Sequence, residues 1–532
     1  MRIVLLLFSI LHLCYGYNYL ISSPVFGYSH LKFMSKVADT LANAGHNVTM
    51  IQFYVYEHFG KINMVKNKNI KIIDYHNTEE APTHENSASA FAFMWDSEIV
   101  NNPITGAFAP SIILFKEFKP MCEKVLLDKE LHKFILDGNF DGYISETFDF
   151  CGLFLGDHLN LNIIPMFSAV KSLAVAYTIG EPSLINFFPA PKSQYGEEAG
   201  TMDRVNDLIA LTGYYHAFAR LADKQYVHAN EVLKGQVRHW HDILQTSTFY
   251  FTNSNPYITF PIPTLTKTVE VGGFAIDPPK HLELPKEYID ILNLRKYTVL
   301  ISFGTVVQSA DMPDAFKDGI IQVCKTLKDT TFLWKYEVDD EVFLKKLPEN
   351  VIVKKWIPQP ALLENPKLSL FITHGGLGST LEVAYAGKPT LMIPIFGDQL
   401  INAQNLARHG GAKVFDKYDL AHPDRLETAI NDVLHNQQFN QSAILMADIL
   451  KHQPIDPKTT LLRHLEFVAR FGRVETLEPY NTKYNFIRYY ALDAYLVLIA
   501  GFLVVLYVLH LFVKFIWRCI CGKKKVEKGK KE

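Results

Sequence analysis

Cysteine is scarce in this sequence of 532 residues, which contains only six. Cys122, Cys151 and Cys324 lie in the body of the chain, whereas Cys519 and Cys521 lie beside an apolar run near the C-terminus. Three cysteines in the body exclude a disulfide framework and favour buried free thiols, although one bridge stays open. The sequence also has no cysteine–histidine cluster with zinc spacing and no internal repeat, so it offers no metal site and no repeat architecture.

An excess of charge of either sign is also missing. Lysine and arginine number 53, aspartate and glutamate 55, and the formal net charge is −2. This balance excludes the basic surface typical of nucleic-acid binding, so we expect no nucleic-acid partner. Hydrophobic residues make up 48% of the chain and charged residues 20%. A chain of this length and composition is expected to form two or three domains, with some contact to a membrane.

Two apolar runs near the ends of the chain indicate targeting and anchoring. Residues 1–16, MRIVLLLFSILHLCYG, place one arginine before an apolar run and predict a secretory signal peptide. Within 491–517, the run 494–513 is long enough to cross a bilayer, and a lysine-rich tail at 518–532 follows it. Because positive flanks stay in the cytosol, we expect a single-pass type I membrane protein with its body in the lumen.

Two sequons for N-linked glycosylation lie in the predicted luminal part. They are Asn47-Val48-Thr49 and Asn440-Gln441-Ser442. Asn47 borders an apolar strand, which limits access to it, whereas Asn440 lies near the start of a predicted helix. Asn440 is therefore the better glycosylation candidate of the two.

The order of predicted elements indicates an α/β fold. A strand over 18–22, a helix over 29–44 with Ser29 as its N-cap, and a strand over 48–53 form a βαβ unit, which predicts a parallel sheet. A stretch rich in proline and glycine near 255–285 marks a boundary, after which strands and helices alternate again. We therefore predict two facing Rossmann-like domains, 17–275 and 276–490, with the last amphipathic helix in the second.

The stretch 356–399 carries the most specific pattern. An apolar strand leads into the glycine-rich turn His374–Ser379 and then into a short helix, and backbone N–H groups converge on an anion at such a turn. Trp356 and Gln359 offer a ring and an amide that suit a base. Glu382 offers a carboxylate for ribose hydroxyls, and Asp398-Gln399 end the next strand. This order suits a base, a ribose, a phosphate and a sugar.

With these residues in place, the sequence resembles the UDP-glycosyltransferases, most closely the animal endoplasmic-reticulum branch that includes the UDP-glucuronosyltransferases. The resemblance rests on Trp356-Ile357-Pro358-Gln359, Thr373-His374-Gly375-Gly376, Ser379, Glu382, Gly387-Lys388-Pro389 and Asp398-Gln399, together with Ser302-Phe303-Gly304-Thr305. It implies the glycosyltransferase B fold, with a UDP-sugar donor in the second domain and an acceptor in the first. Many relatives have asparagine where this chain has Gly378, so Ser379 is the expected substitute there.

The resemblance also implies roles for single residues. Trp356 is expected to stack on uracil, Gln359 to bond its edge, Glu382 to hold the ribose, and Asp398 and Gln399 to hold the sugar. The diphosphate is expected to lie against Thr305, His374, Gly376 and Ser379. His30 is the expected general base and Glu146 its acidic partner, with Asp149 as the second choice. No metal and no cofactor are expected, since the UDP-sugar is a co-substrate.

The predicted partners are a UDP-sugar, a small lipophilic acceptor and the lipid bilayer, and a homo-oligomer stays open. Lysines at positions 528 and 530 resemble a dilysine signal for retrieval to the endoplasmic reticulum.

Two alternative functions remain open from the sequence. One is a dinucleotide-dependent oxidoreductase, because Asp398 lies about 20 residues past Gly378 as in a Rossmann fingerprint. The other is a catalytically silent protein that binds UDP-sugars.

Overall fold

The computed structural model describes residues 16–55, 63–76, 89–96, 105–182, 200–279 and 282–521. The chain divides into two units, Met1–Glu478 and Pro479–Glu532. The signal-peptide prediction, apart from Gly16, and the tail beyond residue 521 lie outside the described residues.

The first unit contains two parallel sheets, as predicted from the βαβ pattern. The first sheet has seven strands in the order β3-β2-β1-β4-β5-β6-β7, and each adjacent pair is parallel. Its strands are β1 (Asn18–Val25), β2 (Asn47–Tyr54), β3 (Lys71–His76), β4 (Gly142–Glu146), β5 (Ile163–Phe167), β6 (Tyr250–Thr252) and β7 (Thr268–Glu270). Its sides are covered by the helices Tyr28–Asn43, Thr105–Leu127, Lys129–Asp137, Cys151–His158, Leu173–Thr178, Thr201–Val232 and Trp240–Thr246. We call this sheet with its helices the first lobe.

The second sheet has six strands in the order β10-β9-β8-β11-β12-β13, again all parallel. Its strands are β8 (Tyr297–Ser302), β9 (Thr330–Lys335), β10 (Val351–Lys354), β11 (Leu370–Thr373), β12 (Thr390–Met392) and β13 (Ala412–Val414). The helices of this part are Lys286–Ile291, Asp314–Thr326, Glu341–Lys346, Gln359–Glu364, Leu377–Ala386, Gln399–Ala407, Pro423–His435 and Gln437–Lys451. We call this sheet with these helices the second lobe.

Each sheet is buried on both faces, which explains the near-continuous apolar strands in the sequence. In β1, Leu20 packs with the core on one side of the sheet and Ile21 with the core on the other. In the second lobe, Ile372 and Phe371 divide in the same way between two cores. This alternation fixes the register of each strand, because a slip of one residue would exchange the two faces.

Helix ends followed the sequence signals in one case and not in another. Gly387 ends the helix Leu377–Ala386 in the left-handed conformation, with φ of 67°, as its position predicted. Ser29 was the expected N-cap of the first helix, and this was wrong. The helix begins at Tyr28 after an extended Gly27 and has no side-chain cap. His30 is therefore the third residue of its first turn.

The last helix of the first unit, Pro457–Phe471, was predicted to belong to the second domain, but it packs on the first lobe. Its buried residues Leu461, Leu465 and Val468 belong to a core of the first sheet. The carbonyl of Val468 also accepts a hydrogen bond from Asn162 Nδ2 at 3.0 Å. The predicted range 276–490 therefore includes a helix that belongs to the first lobe. The apolar face of this helix is covered by the first sheet, although the second sheet is nearer in sequence.

Cys122 and Cys151 form a disulfide, so the expectation of three free thiols was wrong for this pair. Cys122 lies on the helix Thr105–Leu127 and Cys151 begins the helix Cys151–His158, and their Cα atoms are 5.5 Å apart. Helix Thr105–Leu127 was not recognised in the sequence, so nothing indicated that the two residues meet. Cys324 is a buried free thiol, as expected.

We predict that replacing both Cys122 and Cys151 with serine lowers the free energy of unfolding. The bridge closes a loop with a sequence separation of 29 residues, and cross-linking a loop of this size stabilises the folded state by roughly 3.5 kcal/mol. Urea unfolding of the detergent-solubilised chain measures the difference. Cys324→Ser is the control, since it removes a thiol without a bridge. Equal stability of the double variant and the wild type would contradict a stabilising disulfide.

The second unit, Pro479–Glu532, has a simple structure. It contains a 3₁₀ turn at Tyr480–Lys483, the short helix Phe486–Tyr489 and the long helix Leu492–Cys521. The long helix has 30 residues and a mean hydropathy of 2.8 in its most apolar window. It is long and apolar enough to cross a membrane and includes the predicted run 494–513.

Candidate active site

His30 and Glu146 lie together on the first lobe, as the resemblance implied. His30 is in the first turn of the helix Tyr28–Asn43, and Glu146 ends β4, which neighbours β1 in the sheet. His30 Nδ1 donates to Glu146 Oε1 at 2.8 Å. The Glu146 side chain is fully buried, whereas 16% of the His30 side chain is exposed. The arrangement leaves the ring accessible and its carboxylate partner protected from water.

Ser168 completes this cluster and was not identified from the sequence. It follows β5, and its Oγ lies 2.6 Å from His30 Nδ1. The same hydroxyl donates to Glu146 Oε1. One carboxylate oxygen is thus the acceptor for both groups, which fixes the tautomer of His30 with its proton on Nδ1. The only hint in the sequence is that Ser168 directly follows a strand.

Aromatic rings surround His30 within the first lobe. The ring centroids of Phe26 and Phe148 lie 4.3 and 4.7 Å from that of His30. Phe26 and Phe148 stack on each other at 5.0 Å, and Phe118 meets Phe26 edge-on at 5.1 Å. The histidine is therefore set in an apolar wall, which suits an acceptor with an apolar body.

Asp149, the second choice as partner of His30, has other contacts. Its Oδ1 accepts from the Cys151 backbone N–H at 3.2 Å and from Gln225 Nε2 at 3.0 Å. Burial raises the pKa of Asp149 to about 7. These contacts hold the start of the helix Cys151–His158 against the long helix Thr201–Val232. Glu146 is therefore the carboxylate that contacts the histidine.

On the second lobe, His374 lies between two glycine loops after β8 and β11. A Cβ atom at Gly304 would come within 2.6 Å of the His374 ring, and one at Gly376 within 2.5 Å. Burial, together with the nearby Lys335 ammonium, lowers the pKa of His374 to about 4. The ring is therefore neutral at pH 7, and Gly376 is the N-cap of the helix Leu377–Ala386 beside it. Thr305 follows Gly304 on the facing loop.

The residues expected at the base and ribose form one connected group with an exposed ring at its edge. Gln359 Nε2 donates to Glu382 Oε2 at 2.7 Å and to Ser379 Oγ at 3.0 Å. Trp356 is 66% exposed, while its backbone carbonyl accepts from Tyr288 Oη at 3.0 Å. The backbone of this turn is thus fixed, and the indole remains accessible to a planar ligand.

Asp398 and Gln399 begin the helix Gln399–Ala407 after β12. Asp398 Oδ2 accepts from Asn402 Nδ2 at 2.9 Å, and the same nitrogen donates to the Gly375 carbonyl at 3.0 Å. Burial raises the pKa of Asp398. Gln399 Oε1 accepts from the backbone N–H groups of Ile395 and Phe396, at 2.8 and 3.1 Å. Asn402, which the sequence did not reveal as a site residue, connects the aspartate to the glycine loop.

The two groups of residues face each other across the lobes. Lys32, two residues after His30, donates to Glu382 Oε1 at 2.7 Å. Burial is the largest influence on the pKa of Asp398 and raises it, and His30 is close enough to Asp398 to interact with it electrostatically. The structure therefore brings the predicted base close to the residues predicted for the ribose and the sugar.

The two sequons differ in their surroundings. Asn440 is exposed in the first turn of the helix Gln437–Lys451, close to the predicted helix start. Asn47 is exposed at the beginning of β2, where its Nδ2 donates to Asn18 Oδ1 at 2.9 Å, while Thr49 is buried. Glycosylation of either residue stays a prediction.

Comparison with known proteins identifies the family. Residues 20–531 match the family described as "UDP-glucoronosyl and UDP-glucosyl transferase". UDP-glucuronosyltransferase 1A7 of Rattus norvegicus is 25% identical, over 94% of this chain and 93% of its own. The protein ugt-47 of Caenorhabditis elegans, named as a UDP-glucuronosyltransferase, is 26% identical over 90% of this chain and 89% of its own.

Solved structures show the fold. The glycotransferase of kitacinnamycin has a TM-score of 0.58 at 15% identity and covers 87% of this chain and 100% of its own. LpCGTa, solved in complex with UDP, has a TM-score of 0.56 at 16% identity, over 86% of this chain and 99% of its own. The fold is the glycosyltransferase B type, with two Rossmann-like sheets, and the oxidoreductase alternative is set aside. The chain belongs to the UDP-glycosyltransferase family.

Proposed function

We propose that this protein transfers a hexose from a UDP-sugar to a hydroxyl group of a small lipophilic acceptor, with inversion at the anomeric carbon. The observation that carries the proposal is the 2.8 Å contact of His30 with Glu146, on a helix that reaches Glu382 of the second lobe through Lys32. A base and a nucleotide site meet there. Sugar transfer requires a base next to the donor site, whereas binding of a UDP-sugar alone does not.

The acceptor hydroxyl approaches His30 from the open side of the ring. Because His30 Nδ1 donates its proton to Glu146, which also accepts from Ser168, Nε2 carries no proton and can accept the one that the hydroxyl loses. The hydroxyl oxygen then forms the bond to the anomeric carbon. Glu146 stabilises the positive charge that appears on the ring, and Phe26 and Phe148 contact the apolar body of the acceptor.

The donor occupies the second lobe. Trp356 stacks on uracil, Gln359 forms hydrogen bonds with the edge of the base, and Glu382 accepts hydrogen bonds from the ribose hydroxyls. The glycine loops with Thr305, His374, Gly376 and Ser379 surround the diphosphate. As the bond between the anomeric carbon and the diphosphate oxygen breaks, UDP leaves with the electron pair. The N–H groups at the start of the helix Leu377–Ala386 stabilise that charge.

The sugar lies against Asp398 and Gln399. Because Gln399 Oε1 is held by two backbone N–H groups, its Nε2 is the side that serves the sugar, as a donor. Asp398 accepts from sugar hydroxyls. Glucose and glucuronic acid both fit these two contacts, and the names of the relatives favour glucuronic acid.

The test is turnover of a simple phenol by membranes that contain the full chain, with UDP-glucose and UDP-glucuronate in parallel. We expect a β-linked glycoside with at least one donor, and a rate lower by roughly 10²–10⁴-fold with membranes that contain His30→Ala. Tight UDP binding without turnover of any phenol, alcohol or sterol would instead support the catalytically silent alternative.

We predict that Glu146→Gln lowers kcat by less than the roughly 10²–10⁴-fold contribution of a general base, with KM for the donor unchanged. The amide keeps the shape of the side chain but removes the charge that stabilises the imidazolium. Ser168→Ala, which removes one donor to the same oxygen, should have a smaller effect in the same direction. Steady-state kinetics with both substrates measures these changes.

Asp149→Asn is the matched control for this prediction. It also replaces a buried carboxylate by an amide, but at a residue that contacts Gln225 and not His30. We expect its kcat to stay near that of the wild type. If Asp149→Asn lowered kcat and Glu146→Gln did not, the assignment of the partner would be wrong.

We further propose that the protein resides in the membrane of the endoplasmic reticulum, anchored by the helix Leu492–Cys521. Lys514 and Arg518 follow its apolar part and favour a cytosolic C-terminus. Replacing Lys528 and Lys530 by serine is predicted to let part of the protein reach the Golgi. Endoglycosidase H resistance of a glycan at Asn440 is the measurement. Complete sensitivity of the variant would show that the lysines do not retain the protein.

A further inference from the structure

A short segment of the first lobe is inserted into the core of the second. Residues 92–96 lie between β3 and the helix Thr105–Leu127 in sequence, and so belong to the first lobe. Met94 and Trp95 are nevertheless fully buried in the core that contains Phe303, Phe316 and Trp334. This segment therefore connects elements of the first lobe to a core of the second lobe.

Trp95 contacts the loop that follows β8. Its ring meets Phe303 edge-on at 5.1 Å between centroids, and its Nε1 donates to the Gln308 carbonyl at 2.9 Å. These two contacts hold the beginning and the end of the loop 303–308. Gly304 of this loop packs against the His374 ring, and Thr305 is the next residue. Trp95 therefore supports the loop assigned to the diphosphate.

Met94 is connected to the loop that follows β12. The buried Lys417 ammonium donates to the Met94 carbonyl at 2.7 Å and to the Ile395 carbonyl at 3.4 Å. Ile395 is also one of the residues whose N–H holds Gln399 Oε1. One lysine thus connects the inserted segment to the loop assigned to the sugar.

We propose that Met94 and Trp95 position the two loops of the second lobe that hold the diphosphate and sugar of the UDP-sugar, through Phe303 and Gln308 on one side and Lys417 on the other. The inference rests on the proposed function, since it takes the ligands of these loops from there. If the segment only filled space in the core, an apolar residue would serve in place of Lys417. Burying an ammonium group costs free energy unless acceptors surround it. Here one acceptor comes from each of the two segments.

The two contacts can be tested separately because UDP lacks the sugar. Trp95→Ala removes the support of the diphosphate loop, so the Kd for UDP should rise. A loop that adopts its binding conformation only about a tenth of the time raises the apparent Kd about tenfold. Trp95→Phe keeps a ring against Phe303 and loses the bond to Gln308, so its Kd should rise less. Lys417→Met keeps the apolar stem, and it should raise KM for the UDP-sugar more than Kd for UDP.

Calorimetric titration with UDP and initial rates over a range of UDP-sugar concentrations give these values for the full chain in detergent. Positioning predicts that kcat at saturating donor stays within about twofold of the wild type, while KM rises. Leu426→Ala is the control, because Leu426 is buried in the same core but on the helix Pro423–His435. It should lower the melting temperature and leave Kd and KM unchanged.

The inference is overturned if folded Trp95→Phe and Lys417→Met bind UDP and UDP-sugar as the wild type does. It is also overturned if Leu426→Ala weakens binding as much as the Trp95 variants, since Trp95 would then act only through core stability. Should Trp95→Ala not fold, the other two variants decide. Absence of UDP binding by the wild type would instead contradict the proposed function, and the inference would fall with it.

Discussion

His30→Ala is expected to lose transfer almost completely while it still binds UDP. The variant removes the group that takes the acceptor proton, and general base catalysis contributes about 10²–10⁴-fold to the rate. The residues assigned to uracil, ribose and diphosphate lie on the second lobe and keep their own contacts. We therefore expect kcat to fall by this factor and the Kd for UDP to stay within about twofold, because no donor contact is removed.

His30→Gln is the companion variant, because it keeps a polar side chain beside Glu146 without a basic ring. Both variants should be equally inactive if proton transfer is the function of the residue. Activity of His30→Gln near that of the wild type would show that His30 only shapes the site. Loss of UDP binding in His30→Ala would show that the residue is part of the donor site.

The sequence predicted those parts of the fold that depend on short-range patterns. The strands β1, β2 and β11 are largely apolar, because both faces of a parallel sheet are buried. The glycine turn at 374–379 lies between a strand and a helix, as expected. Gly387 ended its helix because only a left-handed residue fits there. At these positions the local sequence alone determines the structure that forms.

Long-range contacts could not be predicted in this way. The pair Cys122 and Cys151 meets only because a helix that had not been recognised packs against another. Trp95 is an ordinary core tryptophan in sequence, and nothing local indicates that its core belongs to the other lobe. The helix Pro457–Phe471 has an amphipathic pattern that defines which face is buried but not which sheet covers it.

The residues of the candidate site also separate into those that a local pattern reveals and those that only long-range contacts bring together. Trp356, Gln359, His374, Glu382 and Asp398 lie within one stretch of the chain, so a motif could reveal them together. His30 and Glu146 are separated by 116 residues, and only the resemblance connected them. Ser168 contacts His30 and Glu146, and Asn402 contacts Asp398 and the Gly375 carbonyl. Such supporting residues have no signature of their own in the sequence.

Trp356→Ala is expected to weaken UDP binding by roughly 5- to 150-fold, since stacking of a base on an aromatic ring contributes about 1–3 kcal/mol. Trp356 is 66% exposed, so little packing is lost when its ring is removed. The turn itself is held through the backbone, where the Trp356 carbonyl accepts from Tyr288. The loss should therefore appear in binding and not in the melting temperature.

Calorimetric titration with UDP measures this effect, and Trp356→Phe provides the matched control. Phenylalanine keeps a planar ring with a smaller face, so its Kd should lie between those of the wild type and Trp356→Ala. Stacking does not depend on the sugar, so KM for UDP-glucose and for UDP-glucuronate should rise by the same factor. A folded Trp356→Ala with the Kd of the wild type would exclude stacking, and the exposed ring would then need another explanation, such as contact with a second protein.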